Sequence, residues 1–338
     1  MNSDSSESSD DIDLIELTIT PQDTIAFRRL DQMLARKLPQ LSRSFIKKIF
    51  TEGLISFSHP SFDEIKKMPP AGTVITIHIP PPPPPDAKPQ NIPLEILFQD
   101  KYLVIVNKPA GLVTHPGAGN YDGTLVNAIL YHCPDMIAEG KRPGIVHRLD
   151  KGTSGVMVIA KIRECHEELV TLFAKREIER YYEALVIGTK INPQGRLESF
   201  IGRHPNNRLK MATHSSLGKY AVTHYKVLES FGYVSLVECK LETGRTHQIR
   251  VHMQYIGHPI FNDDTYGGNR IVKGTIYTKY KQFIDNCFQI IPRQALHAYS
   301  LGFIHPDTEE QMHFISPLPE DFQGAIDKWR KYSHQLKM

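Results

Sequence analysis

GIVHRLDKGTSGVMVIAK, residues 144–161, is the stretch on which the reading of this chain turns. Apolar runs at Gly144–Leu149 and Val156–Ala160 flank a turn rich in Gly152, Thr153, Ser154 and Gly155, a pattern that predicts two strands joined as a hairpin. Asp150 and Lys151 fall where the first strand ends. An aspartate there commonly caps its own turn, so on local grounds Asp150 reads more readily as structural than as chemical. The stretch is not a phosphate-binding loop, because no Gly-Lys-Ser/Thr follows at the required spacing. Further strands are expected at Val104–Val106, Tyr182–Ile187, Ala221–Leu228, Tyr233–Leu241 and Met312–Ile315, and helices at 124–132, 165–175, 246–256 and 320–332. Strands outnumber helices without alternating with them. This favours an α+β domain around a mostly antiparallel, mixed sheet with flanking helices over residues 94–338.

Upstream, residues 80–93 begin with six prolines, Pro80–Pro85, which cannot form a helix or a central strand and are read as a semi-rigid linker. Residues 24–79 read as a small α/β module. Leu30, Met33, Leu34 and Leu38 recur at helical spacing. A second helix with Ser42 as N-cap carries Phe45, Ile46 and Ile49 and stops at Gly53. Strands are expected at Leu54–Phe57 and Val74–Ile77. The polar faces hold Arg28, Arg29, Arg36, Lys37, Arg43, Lys47 and Lys48, either an ordinary solvated surface or one that binds a polyanion. Residues 1–23, with seven acids and no base, read as a disordered acidic tail. The net charge of +3 therefore conceals +10 on the remainder, a balance that favours polyanionic partners.

Two further stretches can carry chemistry. In RYYEALVIG, residues 180–188, Tyr182, Ala184 and Val186 share one strand face and Tyr181 lies on the other. In LETGRTHQIRVHMQYIGHPIFNDDTYGG, residues 241–268, Arg245 sits at a strand-to-helix junction, and Ile249, Met253 and Ile256 mark a buried helix face. His247 and His252 are not at the spacing of a zinc-binding helix, and the four cysteines, Cys133, Cys165, Cys239 and Cys287, lack metal-site or redox spacing. They are expected to be reduced and mostly buried. No apolar run is long enough to span a membrane, and the acidic N-terminus is unlike a signal peptide.

These stretches, in this order, with PLEILFQDKYLVIVNKPAGLVTHPGAGNYDGTLVNAIL before them and RQALHAYSLGFIHP after them, resemble the RluA family of pseudouridine synthases, most closely its large-subunit ribosomal synthase D branch. RRLDQMLARKLPQLSRSFIKKIFTEGLISF resembles the RNA-binding module named after ribosomal protein S-four, and departs from it after Phe57, at Ser58-His59-Pro60. The resemblance implies the pseudouridine synthase fold and isomerisation of uridine in structured RNA, with loop uridines of large-subunit rRNA as the expected target. Asp150 is then the catalytic nucleophile, acting at the sugar, at the ring or by elimination to a glycal. Tyr182 is the motif tyrosine, stacking on the base or taking the carbon-5 proton, and Arg245 is the motif arginine that keeps Asp150 ionised. Arg148 becomes a wedge or phosphate contact during base flipping, and Leu149 and Ile249 exclude water. Arg28, Arg29, Arg43, Lys47 and Lys48 become RNA contacts. No cofactor, metal or membrane is implied, and the expectation is a cytoplasmic monomer. Other readings are a synthase for another rRNA site or tRNA, a non-catalytic ribosome-assembly factor, and a hydrolytic glycosylase, the last disfavoured by the lack of a paired acid. The segment 269–291, with Tyr277, Tyr280 and Phe283, either touches RNA or packs.

Overall fold

A computed structural model describes residues 13–38, 41, 43–59, 62–79, 87–117, 120–136, 142–188, 190–270 and 278–335. Ser42, Pro60, Pro80–Pro85, Tyr277 and the first twelve residues lie outside them. The chain divides into two compact units, Met1–Pro84 and Pro85–Met338.

In the first unit the order is β1 (Asp13–Thr18), α1 (Pro21–Ala26), α2 (Leu30–Lys37), α3 (Arg43–Thr51), β2 (Ile55–Phe57) and β3 (Val74–Ile79). The three strands form an antiparallel sheet with β3 in the centre. Leu30, Met33 and Leu34 of α2 and Ile46 and Ile49 of α3 are buried with Ile75 and Ile77. Gly53, at φ 74°, supplies the left-handed turn after α3. The unit starts earlier than composition suggests. Residues 13–23, expected as the end of a disordered tail, form β1 and most of the first turn of α1, with Thr20 and Asp23 closing a capping box. The reason is a period-two pattern beneath the acids: Ile15, Leu17 and Ile19 pack on the core while Leu14, Glu16 and Thr18 face solvent.

The second unit runs β4 (Glu95–Gln99), β5 (Leu103–Lys108), α4 (Leu125–His132), β6 (Ser154–Ala160), α5 (Arg163–Lys175), β7 (Glu179–Ile187), β8 (Gln194–His204), β9 (Asn207–His214), β10 (Lys219–Ser230), β11 (Val234–Leu241), α6 (Gln248–Tyr255), α7 (Thr278–Ile290), β12 (Leu296–Ile304), β13 (Gln311–Ile315) and α8 (Glu320–Gln335). Its ten strands make one mixed sheet in the order β4-β5-β6-β12-β7-β11-β10-β8-β9, with β13 also paired to β12. Among the described pairs only β6 and β12 are parallel. The expected α+β class with a mostly antiparallel sheet is thus observed. One face of the sheet carries a core of Val104, Met157, Ala184 and Val237 closed by α4, α7 and α8. Tyr280 and Phe283 of α7 belong to this core: the Phe283 ring stacks on Tyr332 with centroids 4.3 Å apart and meets Trp329 edge-on.

Two sequence expectations fail here. The latter half of the expected linker is not free: the Gln90 amide donates to the Asn127 carbonyl, the Asn127 side chain donates to the Lys88 carbonyl, and Ala87 packs against the core. Gly144–Leu149 is not a strand, and Asp150 does not close a hairpin. β5 pairs along one edge of β6, and β12 takes the other edge at Ser154 and Gly155, beside the turn, where a hairpin ladder would have to start. The preceding segment touches β6 only through one bridge, Ile145 to Ile159, and is fastened by side chains instead. The His147 imidazole accepts from the Val158 amide, and the Thr114 hydroxyl donates to the Leu149 carbonyl.

The parallel junction between β6 and β12 places Gly155 directly opposite Ala298. Gly155 has φ 121°, and a Cβ there would overlap the Ala298 carbonyl. Only glycine meets both demands. Gly155→Ala should lower stability by roughly 2–4 kcal/mol, read as a fall in the urea midpoint with unchanged slope; a midpoint equal to wild type would refute this account.

Candidate active site

The segment before β6, the inner face of β7, the end of β11 and the start of α6 enclose a cleft of about 530 Å³. Asp150, Tyr182, Arg245, Arg148, Leu149 and Ile249, all singled out from sequence, line it.

Asp150 is held by its backbone as well as by its partners. Its carbonyl accepts from the Thr153 amide, the Lys151 carbonyl accepts from the Gly111 amide, and the Gly152 carbonyl accepts from Arg293 Nη1 at 3.0 Å. Arg293 is itself clamped in two-point fashion by Asp321 of α8. The Asp150 carboxylate keeps 16% exposure and faces the cleft. Its Oδ2 accepts from Arg250 Nη1 at 3.0 Å, and His247 Nε2 stands 3.8 Å away.

This corrects the expectation for Arg245. From sequence Arg245 is the partner of Asp150, but the structure gives that place to Arg250, more than one helical turn further on. Arg245 lies on the cleft wall, where its Nε donates to the Tyr220 carbonyl. The physical reason is the turn between β11 and α6. The Gln248 side chain accepts from the Arg245 amide and the Thr243 hydroxyl and donates to the Val222 carbonyl and the Thr223 hydroxyl. That knot fixes where α6 begins, and the helix then directs Arg250, not Arg245, at Asp150.

Arg250 is buried and its charge is shared. While Nη1 reaches Asp150, Nε and Nη2 donate to the two oxygens of Asp263 at 2.7 and 2.9 Å. The Asp263 side chain has no exposure, and its Oδ1 also accepts from the Thr265 and Tyr266 amides. The Tyr266 ring lies under the guanidinium, 5.0 Å from centroid to Cζ. Burial works against the Arg250 charge, but Asp263 and then Asp150 outweigh it and raise the pKa. The Tyr266 hydroxyl completes the frame, accepting from the Met211 amide of β9 and meeting His247 Nδ1 at 2.9 Å. His247 is itself in the left-handed region, at φ 58°.

Beneath this set, Lys108 is fully buried with its Nζ on the Pro109 and Leu112 carbonyls, and burial drives its pKa down to about 7 against the pull of Asp150. Tyr182 is also buried. Desolvation first, then the Asp150 charge, raises its pKa despite Arg180. Tyr181 points to the other face, under Lys240 Nζ. Leu149 and Ile249 are almost wholly buried, whereas Arg148 is exposed at the rim.

On the N-terminal unit, Arg28, Lys47 and Lys48 are exposed, and Lys48 is 3.7 Å from Glu52. Arg29 and Arg43 both grip the buried carboxylate of Asp31, so part of their donor capacity is already committed. No group of side chains suited to hold a metal ion occurs among the described residues, and no described helix is long and apolar enough to cross a membrane.

Sequence reasoning missed Arg250, Asp263, His247 and Lys108. Arg250 and Asp263 carried one signal: opposite charges lying among residues whose neighbours, Ile249, Val251, Ile260 and Phe261, all belong inside.

Comparison with known proteins places the cleft in a family. A family model described as RNA pseudouridylate synthase matches residues 102–255, which contain Asp150, Tyr182, Arg245 and Arg250. The chain is 45% identical over 305 residues to ribosomal large subunit pseudouridine synthase D of Zymomonas mobilis, covering 87% of this chain and 92% of that protein. It is 43% identical to the protein of that name from Pseudomonas aeruginosa, covering 90% and 92%. Among solved structures, human RNA pseudouridylate synthase domain containing 4 superposes with a TM-score of 0.53 at 28% identity, over 70% of this chain and 93% of that one. Relatives this similar along nearly their whole length, with the charged cleft inside the matched segment, leave one conclusion: the chain belongs to the RNA pseudouridylate synthase family.

Proposed function

We propose that Asp150 is the catalytic carboxylate with which this RNA pseudouridine synthase isomerises uridine, and that its substrate is large-subunit ribosomal RNA, as the names of its relatives indicate. One observation carries the assignment: Asp150 is the carboxylate on the cleft floor that reaches the open space while anchored to a buried, doubly bound arginine. The uracil–ribose bond must break, the base must turn, and ring carbon 5 must rejoin the sugar. Attack at the sugar, attack at the ring and elimination to a glycal all use an oxygen of this carboxylate, and Arg250 holds it in place by a charge-assisted hydrogen bond.

Tyr182 supplies a flat apolar wall beside Asp150. Its raised pKa keeps the phenol protonated, which supports stacking and hydrogen-bond donation rather than proton removal from carbon 5. Leu149 and Ile249 shield the separated base and sugar from water. A uridine must leave its stack to enter the cleft, at a cost of a few kcal/mol that is least in loops. Arg148, exposed at the rim, suits the space the base vacates. The rearrangement is redox-neutral, and the reading assigns it no metal and no cofactor. It places the enzyme in the cytoplasm as a monomer. Arg28, Arg29, Arg43, Lys47 and Lys48 of the N-terminal unit are assigned to RNA backbone contacts.

Asp150→Asn should bind substrate RNA and form no pseudouridine, measured by tritium release from RNA labelled at uridine carbon 5. Near-wild-type release would refute the assignment, and pseudouridine mapping of total RNA with and without the enzyme identifies the target. Arg250→Ala leaves two carboxylates without their cation and should cost about 3–5 kcal/mol of stability as well as activity. Arg245→Ala should cost less than about 1 kcal/mol; equal urea midpoints for the two variants would contradict the exchange of roles. A chain begun at Pro85 should bind RNA more weakly and with a shallower dependence of log affinity on log salt. An unchanged slope would remove the N-terminal unit from RNA binding.

A further inference from the structure

The cleft contains a second cation that its protein surroundings do not neutralise. Arg180 of β7 is 6% exposed, and its side chain has no carboxylate partner or hydrogen bond among the described residues. Its Nε is buried without an acceptor, and its only marked contact is the Phe173 ring, 5.2 Å from Cζ. A buried arginine is almost always paired, because withdrawing the charge from water costs several kcal/mol that an anion must offset. Burial lowers the Arg180 pKa against the opposing influence of Tyr182, and Arg245 lowers it further. Arg180 and Arg245 both line the cleft, and neither has a carboxylate partner among the described residues. Arg176 and Glu242, also on the lining, are already paired with each other at 3.0 Å.

The backbone makes room at Gly244 for the Arg180 guanidinium, which lines the open cleft together with Arg245. Gly244 is exposed and precedes Arg245, and a Cβ at Gly244 would stand 2.7 Å from Arg180 Nη1. Arg180 also shares its strand face with Tyr182, two residues on. The two therefore lie about 7 Å apart along the strand, the base wall at one end and the unpaired cation at the other.

We propose that Arg180 and Arg245 form a binding subsite for one phosphodiester of the RNA strand adjoining the isomerised uridine. The inference rests on the reading of the cleft as a uridine site. Uracil and ribose are neutral, so the phosphodiester is the part of a bound nucleotide that can offset these charges. A planar guanidinium binds phosphate oxygens at two points, and the bond is charge-assisted. The subsite makes the enzyme select uridine within a strand over the free nucleoside, and it anchors the backbone while the base turns.

The test uses a synthetic stem-loop containing a uridine that the wild-type enzyme modifies, with single methylphosphonate linkages placed in turn on either side of it. In wild type one neutral linkage should lower kcat/KM by about 10- to 100-fold. Arg180→Gln should lose a similar factor on ordinary RNA and little more on the RNA carrying that neutral linkage. Because the buried charge is uncompensated in the free protein, Arg180→Gln and Arg180→Met should melt at or above the wild-type temperature, which a purely structural arginine would not allow. Losses that multiply at every linkage, or a melting temperature well below wild type in both variants, would overturn the subsite. A wild-type enzyme that forms no pseudouridine in any RNA would instead sink the functional reading. The subsite would then be decided by RNA affinity alone, which the neutral linkage should weaken in wild type but not in Arg180→Gln.

Discussion

One guanidinium divided between two carboxylates organises this active site. Arg250 gives one face to Asp263, which sees no solvent, and one nitrogen to Asp150, which does. The three groups carry a net charge of −1, and the geometry leaves that charge on the open side. Had Asp263 been missing, the arginine would be free to follow the carboxylate wherever it moved. Asp263 sits beyond α6 in a turn where its Oδ1 also takes two amides, so the arginine that holds the Asp150 carboxylate is itself set by a segment that does not line the cleft.

The surrounding fold serves this arrangement by fixing the two backbones that present it. The segment carrying Asp150 has no strand partner and depends on bonds from Thr114, Gly111 and Arg293. The helix carrying Arg250 depends on Gln248, whose amide is fully occupied by four partners. Tyr266 ties α6 and the residue before it to β9: its ring lies under Arg250, and its hydroxyl meets His247 and accepts from the Met211 amide. The Thr114 bond and three of the four Gln248 bonds are buried, where a half-satisfied group costs more than an apolar one, so the site has little freedom to drift.

Much of this was legible in the residues, and the failures have physical causes. Strands with long β-branched or aromatic runs, β5, β6, β7, β10 and β11, and the amphipathic helices α4, α5, α6 and α8 declare themselves by period. By contrast β8, QGRLESFIGRH, is mostly solvated and polar, and β12, LHAYSLGFI, is buried on both faces with Gly and Ser within it, so neither shows an alternating pattern. The hairpin expected around Asp150 failed for a reason no local window contains, namely which distant strands claim the edges of β6. Asp150 and Tyr182 are legible as candidates because their motifs, taken together, carry the family resemblance. The partner of Asp150 is not, since Arg245 and Arg250 lie in the same motif and only the turn fixed by Gln248 decides between them. Arg180 was hidden for a further reason: its meaning lies in the acids that are absent around it.

The position of β12 has a consequence for how the enzyme comes into being. It lies between β6 and β7, which are near neighbours in sequence, yet it comes from the last fifth of the chain. During synthesis β6 and β7 emerge early and must wait with facing edges unpaired until Leu296–Ile304 leaves the ribosome. Such long-range closure is slow and leaves strand edges exposed. Arg293, which pins the Gly152 carbonyl beside Asp150, arrives with the same segment. The segment carrying Asp150 is therefore fully fastened only when nearly the whole polypeptide exists, so a truncated product of interrupted translation has the motifs but not the cleft.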